Sequence, residues 1–173
     1  MSAPTDVAFD LVDHDGAPVD ARSYPGAWLL VQFGFTSCRV VCPRALTRLT
    51  AALDALDDEV AGQVRPLYVS VDPERDTPEV LRDFLAASYP RFTGLTGTPE
   101  QVEAAKRAFR VFARRRADPE DPDGYAVPHT AITYLVDPGG RLAHHWPDTA
   151  DASTVAADLT ARVAAGIGAT PSP

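Results

Sequence analysis

The distribution of apolar positions along the chain predicts strands that alternate with helices. Residues 27–33 form a nearly continuous apolar run, which is typical of a strand buried on both faces of a sheet. Apolar residues then recur at helical spacing through residues 45–56, so a helix should follow this strand and end near residues 57–58. Residues 63–71 form a second predicted core strand, and a polar loop follows it at residues 72–76.

Helix caps and turn residues place the remaining elements. Thr77 and Thr98 each precede a proline, and Gln101 lies where it would complete a capping box with Thr98. In chain order, the other predicted elements are a strand and turn at 7–16, a loop at 18–26, helices at 77–87 and 98–112, a long loop at 115–127, a hairpin of strands at 130–136 and 141–146, and a helix at 151–165.

This order of elements favours the α/β class, because strands and helices alternate before a closing hairpin and helix. We predict a thioredoxin-like fold, with a central mixed β-sheet flanked by helices and an N-terminal β-hairpin extension. A chain of 173 residues is most simply one domain, residues 1–173, with an ordered core at about residues 7–165 and a loose C-terminal tail.

Charge and hydropathy exclude several classes of partner. The net charge of −8 argues against nucleic acid, which is bound by a basic surface. The one basic run, residues 114–116, is followed by acidic residues and is predicted to be a solvated strand end or loop. No stretch is long and apolar enough to span a membrane. The first residues lack the pattern of a signal peptide, so the protein is expected to be cytoplasmic if the sequence is complete.

Cys38 and Cys42, the only two cysteines, carry the strongest chemical signal. Residues four apart on a helix project from one face, so the two sulfurs could meet each other or bind one metal ion. They follow the strand at residues 27–33 and precede the helical pattern. The N-terminus of a helix stabilises thiolate, which is the reactive and metal-binding form of cysteine. A cysteine pair in this position is typical of thioredoxin-like redox and metal sites.

Among the four histidines, only His129 is placed for a role beside the cysteines. It ends the long acidic loop and begins the strand at residues 130–136, and loops at strand ends build the sites of open α/β sheets. His14, His144 and His145 are expected to have surface or structural roles. Asp72 follows a core strand and could support a ligand, although an ordinary turn residue before a proline is an equal alternative.

Several motifs together resemble the Sco/SenC family of thioredoxin-like copper chaperones. The resemblance runs in order from about residue 7 to residue 165, which makes it specific. The matching segments are residues 24–26, 32–38, 42–43, 69–78, 94–100, Tyr125, residues 129–130 and residues 134–138.

The resemblance implies a function and a ligand set. One copper ion, as Cu(I) or Cu(II), would be held by Cys38, Cys42 and His129 and delivered to the copper site of cytochrome c oxidase or a related copper protein. Thiolates suit Cu(I) and imidazole suits both oxidation states, whereas a structural zinc site would need a fourth ligand. The resemblance also implies the cell envelope if an anchor precedes the given sequence. We expect a monomer, with the oxidase's copper-site subunit and a thioredoxin-like reductase as candidate partners.

Two residues depart from the family pattern beside the expected ligands. Arg39 stands where the family usually has proline, and its charge is expected to lower the pKa of the thiols. Pro128 stands where the family usually has aspartate, which changes the surroundings of His129.

Other functions remain open for the same cysteine pair. A thiol–disulfide oxidoreductase would use Cys38 as the attacking thiolate and Cys42 as the resolving thiol. A redox sensor would bind a partner in one thiol state only. A peroxidase-like enzyme is a weaker alternative, because the cysteines lack a peroxidase motif. Thioredoxin-type reductases carry a cis-proline at the position that corresponds closely to Ala131, so we expect His129 to face the cysteines instead.

Overall fold

The computed structural model describes residues 6–167, with the side chains of residues 6–166. Its strands are β1 (Asp10–Asp13), β2 (Pro18–Asp20), β3 (Trp28–Gly34), β4 (Val64–Ser70), β5 (Thr93–Thr96), β6 (Arg116–Ala117), β7 (Tyr125–Ala126), β8 (Ile132–Val136) and β9 (Leu142–Pro147). Its α-helices are α1 (Val41–Asp54), α2 (Asp58–Ala61), α3 (Pro78–Ser88), α4 (Pro99–Phe109) and α5 (Ala152–Ile167), and a short 3-10 helix spans Ala21–Ser23.

Seven strands form one mixed sheet in the order β2-β1-β5-β4-β3-β8-β9. The pairs β3–β4 and β4–β5 are parallel, and the four other pairs are antiparallel. β3 lies between β4 and β8, and six of its seven residues are buried, as its apolar run predicts. The predicted mixed sheet is confirmed, and β1 and β2 form the predicted N-terminal hairpin.

Helix caps behave as the sequence indicates. The Thr77 side chain accepts a hydrogen bond from the backbone N–H of Val80 at the start of α3. Thr98 and Gln101 form the predicted reciprocal capping box at the start of α4. The prediction that α4 continues to residue 112 is wrong, because Arg110 adopts a left-handed conformation with φ of 56° and ends the helix.

Several short elements were not predicted. The one-turn helix α2 was not predicted. The Asp57 side chain caps it by accepting a hydrogen bond from the backbone N–H of Val60. β2 and the 3-10 helix form within residues 18–26, which were predicted to be a loop. The pair β6–β7 lies within the predicted loop at residues 115–127. These elements contain two to four residues each, so they leave little periodicity in the sequence.

A long helix closes the described part of the chain. α5 confirms the last predicted helix and continues through residues 166 and 167, where the loose tail was expected to have begun. The rest of the expected tail lies outside the described residues. Within residues 6–167, no helix is long and apolar enough to cross a membrane.

Candidate metal centre

The cysteine pair lies at the junction between β3 and α1, but only Cys42 is helical. β3 ends at Gly34 and α1 begins at Val41, so Cys38 lies in the connecting loop rather than on the same helix. The first residue before α1, Val40, has no side chain that can cap the helix. The sulfur of Cys38 takes this role, since the backbone N–H of Cys42 donates a hydrogen bond to it over 3.4 Å.

The pKa values of the two thiols are shifted in opposite directions. The pKa of Cys38 falls from 9.0 to about 5, chiefly because the Cys42 thiol donates a hydrogen bond to its sulfur, and backbone N–H groups add to the effect. The pKa of Cys42 is raised, because its proton is held in this hydrogen bond and because the side chain is buried. The pair therefore retains one proton at neutral pH, with the thiolate on the more exposed Cys38.

Arg39 does not produce this low pKa. Its guanidinium donates hydrogen bonds to the Asp118 carboxylate over 3.0 Å and to the Glu120 carbonyl over 3.2 Å. Arg39 thus joins the loop that carries Cys38 to the acidic loop at residues 115–127.

His129 faces Cys42 from the other side of the junction. Its Nε2 lies 3.4 Å from the Cys42 sulfur, and its Nδ1 lies 3.0 Å from the carbonyl oxygen of Thr130. Because a carbonyl only accepts, Nδ1 carries the proton, so Nε2 and the Cys38 sulfur are the two alternative acceptors for the single proton of the Cys42 thiol. Burial lowers the pKa of His129, which favours the neutral ring. The ring also packs edge-on against Phe35, with centroids 6.1 Å apart.

Residues 110–131, here called the connector, carry His129 and are fastened by one group of charged side chains. Asp72 accepts hydrogen bonds from Arg75 Nε over 2.6 Å and from the Tyr125 hydroxyl over 3.1 Å. The guanidinium carbons of Arg75 and Arg115 lie 3.8 Å and 3.9 Å from the centre of the Tyr125 ring. Arg75 also pairs with Asp121 over 2.9 Å. Asp72 therefore holds the connector, and its carboxylate makes no hydrogen bond to either cysteine.

Asp76 is a site residue that the sequence reasoning missed. Its buried carboxylate accepts hydrogen bonds from the backbone N–H and the hydroxyl of Thr36, and from the hydroxyl of Ser70. Burial raises its pKa. Thr36 belongs to the loop that carries Cys38, so Asp76 fixes that loop to the end of β4. Polar Ser70 and Thr36 at the ends of two buried strands were the signal that could have identified it.

The other histidines lie away from the junction. The imidazole Nδ1 of His14 accepts a hydrogen bond from the Gly94 N–H over 3.0 Å. His144 and His145 are on β9, where Nδ1 of His144 lies 3.1 Å from Nη2 of Arg162.

Apolar side chains surround the junction at the surface. Val40, Val41 and Phe112 are three of the four large apolar side chains that are exposed in the described part of the chain. Phe112 lines an open cavity of about 480 Å³ together with Pro128 and His129.

The chemistry of the donors fits copper, although the three side chains do not yet converge on one point. Among residues 6–167, no three Cys, His, Asp or Glu side chains are already arranged to hold a metal ion. A metal about 2.3 Å from a sulfur and about 2.0 Å from a nitrogen, at tetrahedral angles, separates the two donors by about 3.5 Å. The distance of 3.4 Å between the Cys42 sulfur and His129 Nε2 matches this value, so these two donors are already spaced for one shared ion.

The family model described as SCO1/SenC matches residues 2–164. The chain belongs to the SCO1/SenC family. It is 37% identical over 152 residues to human "Protein SCO1 homolog, mitochondrial", covering 87% of this chain and 50% of that protein. The chain thus spans about half the length of this relative and of the zebrafish SCO2 homolog. The predicted family resemblance is confirmed.

Solved structures of the same family share the fold. Copper-bound ScoI of Arabidopsis thaliana superposes with a TM-score of 0.84 at 30% identity, covering 92% of this chain and 98% of that one. Copper-bound ScoI of Bradyrhizobium japonicum gives 0.80 at 34% identity, with 91% and 98% covered. BsSco, described as having a disulfide switch and as a member of a family of cytochrome c oxidase assembly proteins, gives 0.70 at 28% identity, with 95% and 98% covered. The thioredoxin-like fold is confirmed by these neighbours.

Proposed function

We propose that this protein is a copper chaperone that holds one Cu(I) or Cu(II) ion through Cys38, Cys42 and His129. It would deliver the ion to the copper-site subunit of cytochrome c oxidase or to another copper protein. The observation that carries the proposal is the 3.4 Å contact between the Cys42 sulfur and His129 Nε2. Copper-bound relatives with the same fold support it.

The two cysteines have different parts in loading. Cys38 is half-buried and mostly thiolate at neutral pH, so it is ready to receive a soft ion from solution or from a donor. Cys42 is buried and must release its proton when copper binds, so loading liberates about one proton. His129 then supplies a nitrogen donor, which Cu(II) requires more than Cu(I) does.

Copper stoichiometry of the reduced protein tests the proposal. We expect one Cu(I) per chain in wild type, and large losses in Cys38→Ser and in Cys42→Ser, because two thiolates supply most of the bonding. His145→Ala, on the exposed face of β9, is the matched control for His129→Ala and should bind as wild type does. Full copper stoichiometry in the double serine variant would rule out this site.

Thiol–disulfide exchange is the second candidate function, and the unequal thiols favour it. The Cys38 thiolate would attack a partner disulfide and form a mixed disulfide while one partner thiolate leaves. Cys42 would then attack Cys38, lose its proton and release the second partner thiol. The chain ends oxidised as the Cys38–Cys42 disulfide, and the partner ends reduced. The disulfide switch described for BsSco supports this alternative.

Partners and assembly follow from the same proposal. We propose a monomer that meets a copper-accepting subunit and, for reduction of its cysteines, a thioredoxin-like reductase. Size-exclusion chromatography with light scattering tests the oligomeric state, since a monomer would give a molar mass of 18.5 kDa and a dimer twice that value.

A further inference from the structure

Tyr68 has a buried hydroxyl group that no residue in the described part of the chain satisfies. The side chain projects from β4 and is fully buried, yet its hydroxyl has no hydrogen-bond partner among residues 6–167. Buried polar groups are nearly always paired in folded proteins, because an unpaired one loses its hydration without compensation. A phenylalanine would fill the same space without this cost, so the hydroxyl calls for an explanation.

The surroundings direct this hydroxyl toward the cysteine junction. Gly34 ends β3, and a Cβ atom at that position would lie only 2.3 Å from the Tyr68 oxygen. The absence of a side chain at Gly34 therefore lets the phenol pass beneath the end of β3. Phe84 stacks on the ring with centroids 6.1 Å apart and fixes its orientation.

The sulfur of Cys42 is an acceptor beside this hydroxyl. The Tyr68 hydroxyl lies close to this sulfur without forming a well-aligned hydrogen bond. A thiol sulfur is a weak acceptor, whereas a metal-bound thiolate is a strong one. The hydroxyl is thus placed for a form of the site in which Cys42 is a copper ligand.

We propose that Tyr68 is a positioning residue for copper: its hydroxyl donates a hydrogen bond to the Cys42 sulfur when that sulfur is bound to the ion. This inference rests on the proposed function. The hydrogen bond orients Cys42 and reduces the electron density on its sulfur. Hydrogen bonds to a coordinating cysteine tune the potential of copper sites, and loss of such outer partners typically weakens metal binding about 10- to 100-fold.

Tyr68→Phe tests the inference, because it removes the oxygen and keeps the ring, the stacking on Phe84 and the space over Gly34. Tyr134→Phe is the matched control. Tyr134 is also buried, on β8, and packs against Phe33 and Phe109 instead of the cysteines. Three quantities are measured for each variant: urea unfolding of the metal-free protein, Cu(I) affinity by competition, and the thiolate-to-Cu(II) absorption band.

We expect Tyr68→Phe to leave the metal-free protein at least as stable as wild type and to weaken Cu(I) binding about 10-fold or more. The absorption band should move to longer wavelength, because a sulfur without the hydrogen bond is a better electron donor. Tyr134→Phe should change neither copper quantity. Wild-type affinity and an unshifted band in Tyr68→Phe would overturn the inference while leaving the copper site intact. Absence of copper binding in wild type would instead overturn the proposed function, and this inference with it.

Discussion

The unequal thiols allow a quantitative prediction about the metal-free protein. With a pKa of about 5, Cys38 is about 99% thiolate at pH 7, whereas a thiol with the ordinary value of 9.0 is about 1% thiolate. Alkylation of Cys38 by iodoacetamide should therefore show a midpoint near pH 5. Cys42 should react far more slowly, because it is protonated and buried.

Two substitutions at position 42 test whether the hydrogen bond from Cys42 causes the low pKa of Cys38. Serine at position 42 keeps a hydroxyl that can donate to the Cys38 sulfur, whereas alanine cannot donate. We expect Cys42→Ser to keep much of the low pKa and Cys42→Ala to raise the pKa of Cys38 toward its ordinary value. The assay is the rate of alkylation at Cys38 against pH, with the site assigned by mass spectrometry.

The same shift predicts how stability depends on pH. A thiol whose pKa is lowered on folding stabilises the native state above its unfolded pKa of 9.0, and this contribution disappears as the pH falls through about 5. Four pKa units correspond to about 5 kcal/mol, but Cys38 is half-exposed, so solvent screening reduces the expected value to about 2 kcal/mol. Above pH 9 the raised pKa of Cys42 acts in the opposite direction and lowers stability.

Two results would contradict this reasoning. One is a wild-type alkylation midpoint above pH 8. The other is the same midpoint for Cys42→Ser and Cys42→Ala, which would show that the side-chain hydrogen bond is not the cause.

Three further predictions concern disulfide formation, the preference between Cu(II) and Cu(I), and reductase activity. Mild oxidation without metal should give an intramolecular Cys38–Cys42 disulfide, because the Cys38 sulfur already lies 3.4 Å from the Cys42 nitrogen; mass spectrometry that finds only dimers or sulfinic acid would oppose it. His129→Ala should weaken Cu(II) binding more than Cu(I) binding in competition titrations, and equal losses would remove its role as a differential ligand. Insulin reduction should be slow, since His129 faces Cys42; thioredoxin-like rates that His129→Ala leaves unchanged would favour the reductase.

Elements with strong periodicity were predictable from the sequence alone. The apolar run of β3 and the helical spacing of α1 gave the strand and helix on either side of the cysteines. The caps at Thr77 and Thr98 gave the starts of α3 and α4, because their hydrogen bonds are local. The position of Cys38 outside α1 was not predictable, since the sulfur itself replaces the missing cap.

The supporting residues of the site could not be identified from spacing. Asp76 and Thr36 are 40 residues apart, and only the pairing of β3 with β4 brings them together. The sequence drew attention to Asp72, but its carboxylate is used by Arg75 and Tyr125. The role of Arg39 was likewise decided by distant residues, because Asp118 lies 79 positions later in the chain.

The ribosome adds His129 and strand β8 long after it adds the two cysteines. Cys42 and His129 are 87 residues apart, so at about 5–20 residues per second the ribosome adds the histidine about 4 to 17 seconds after the second cysteine. β3 can pair early with β4, but its other neighbour, β8, begins only at Ile132. A nascent chain therefore displays two reactive sulfurs before their nitrogen partner exists. If copper is held as proposed, all three donors are available to it only after His129 has been added and β8 has paired with β3.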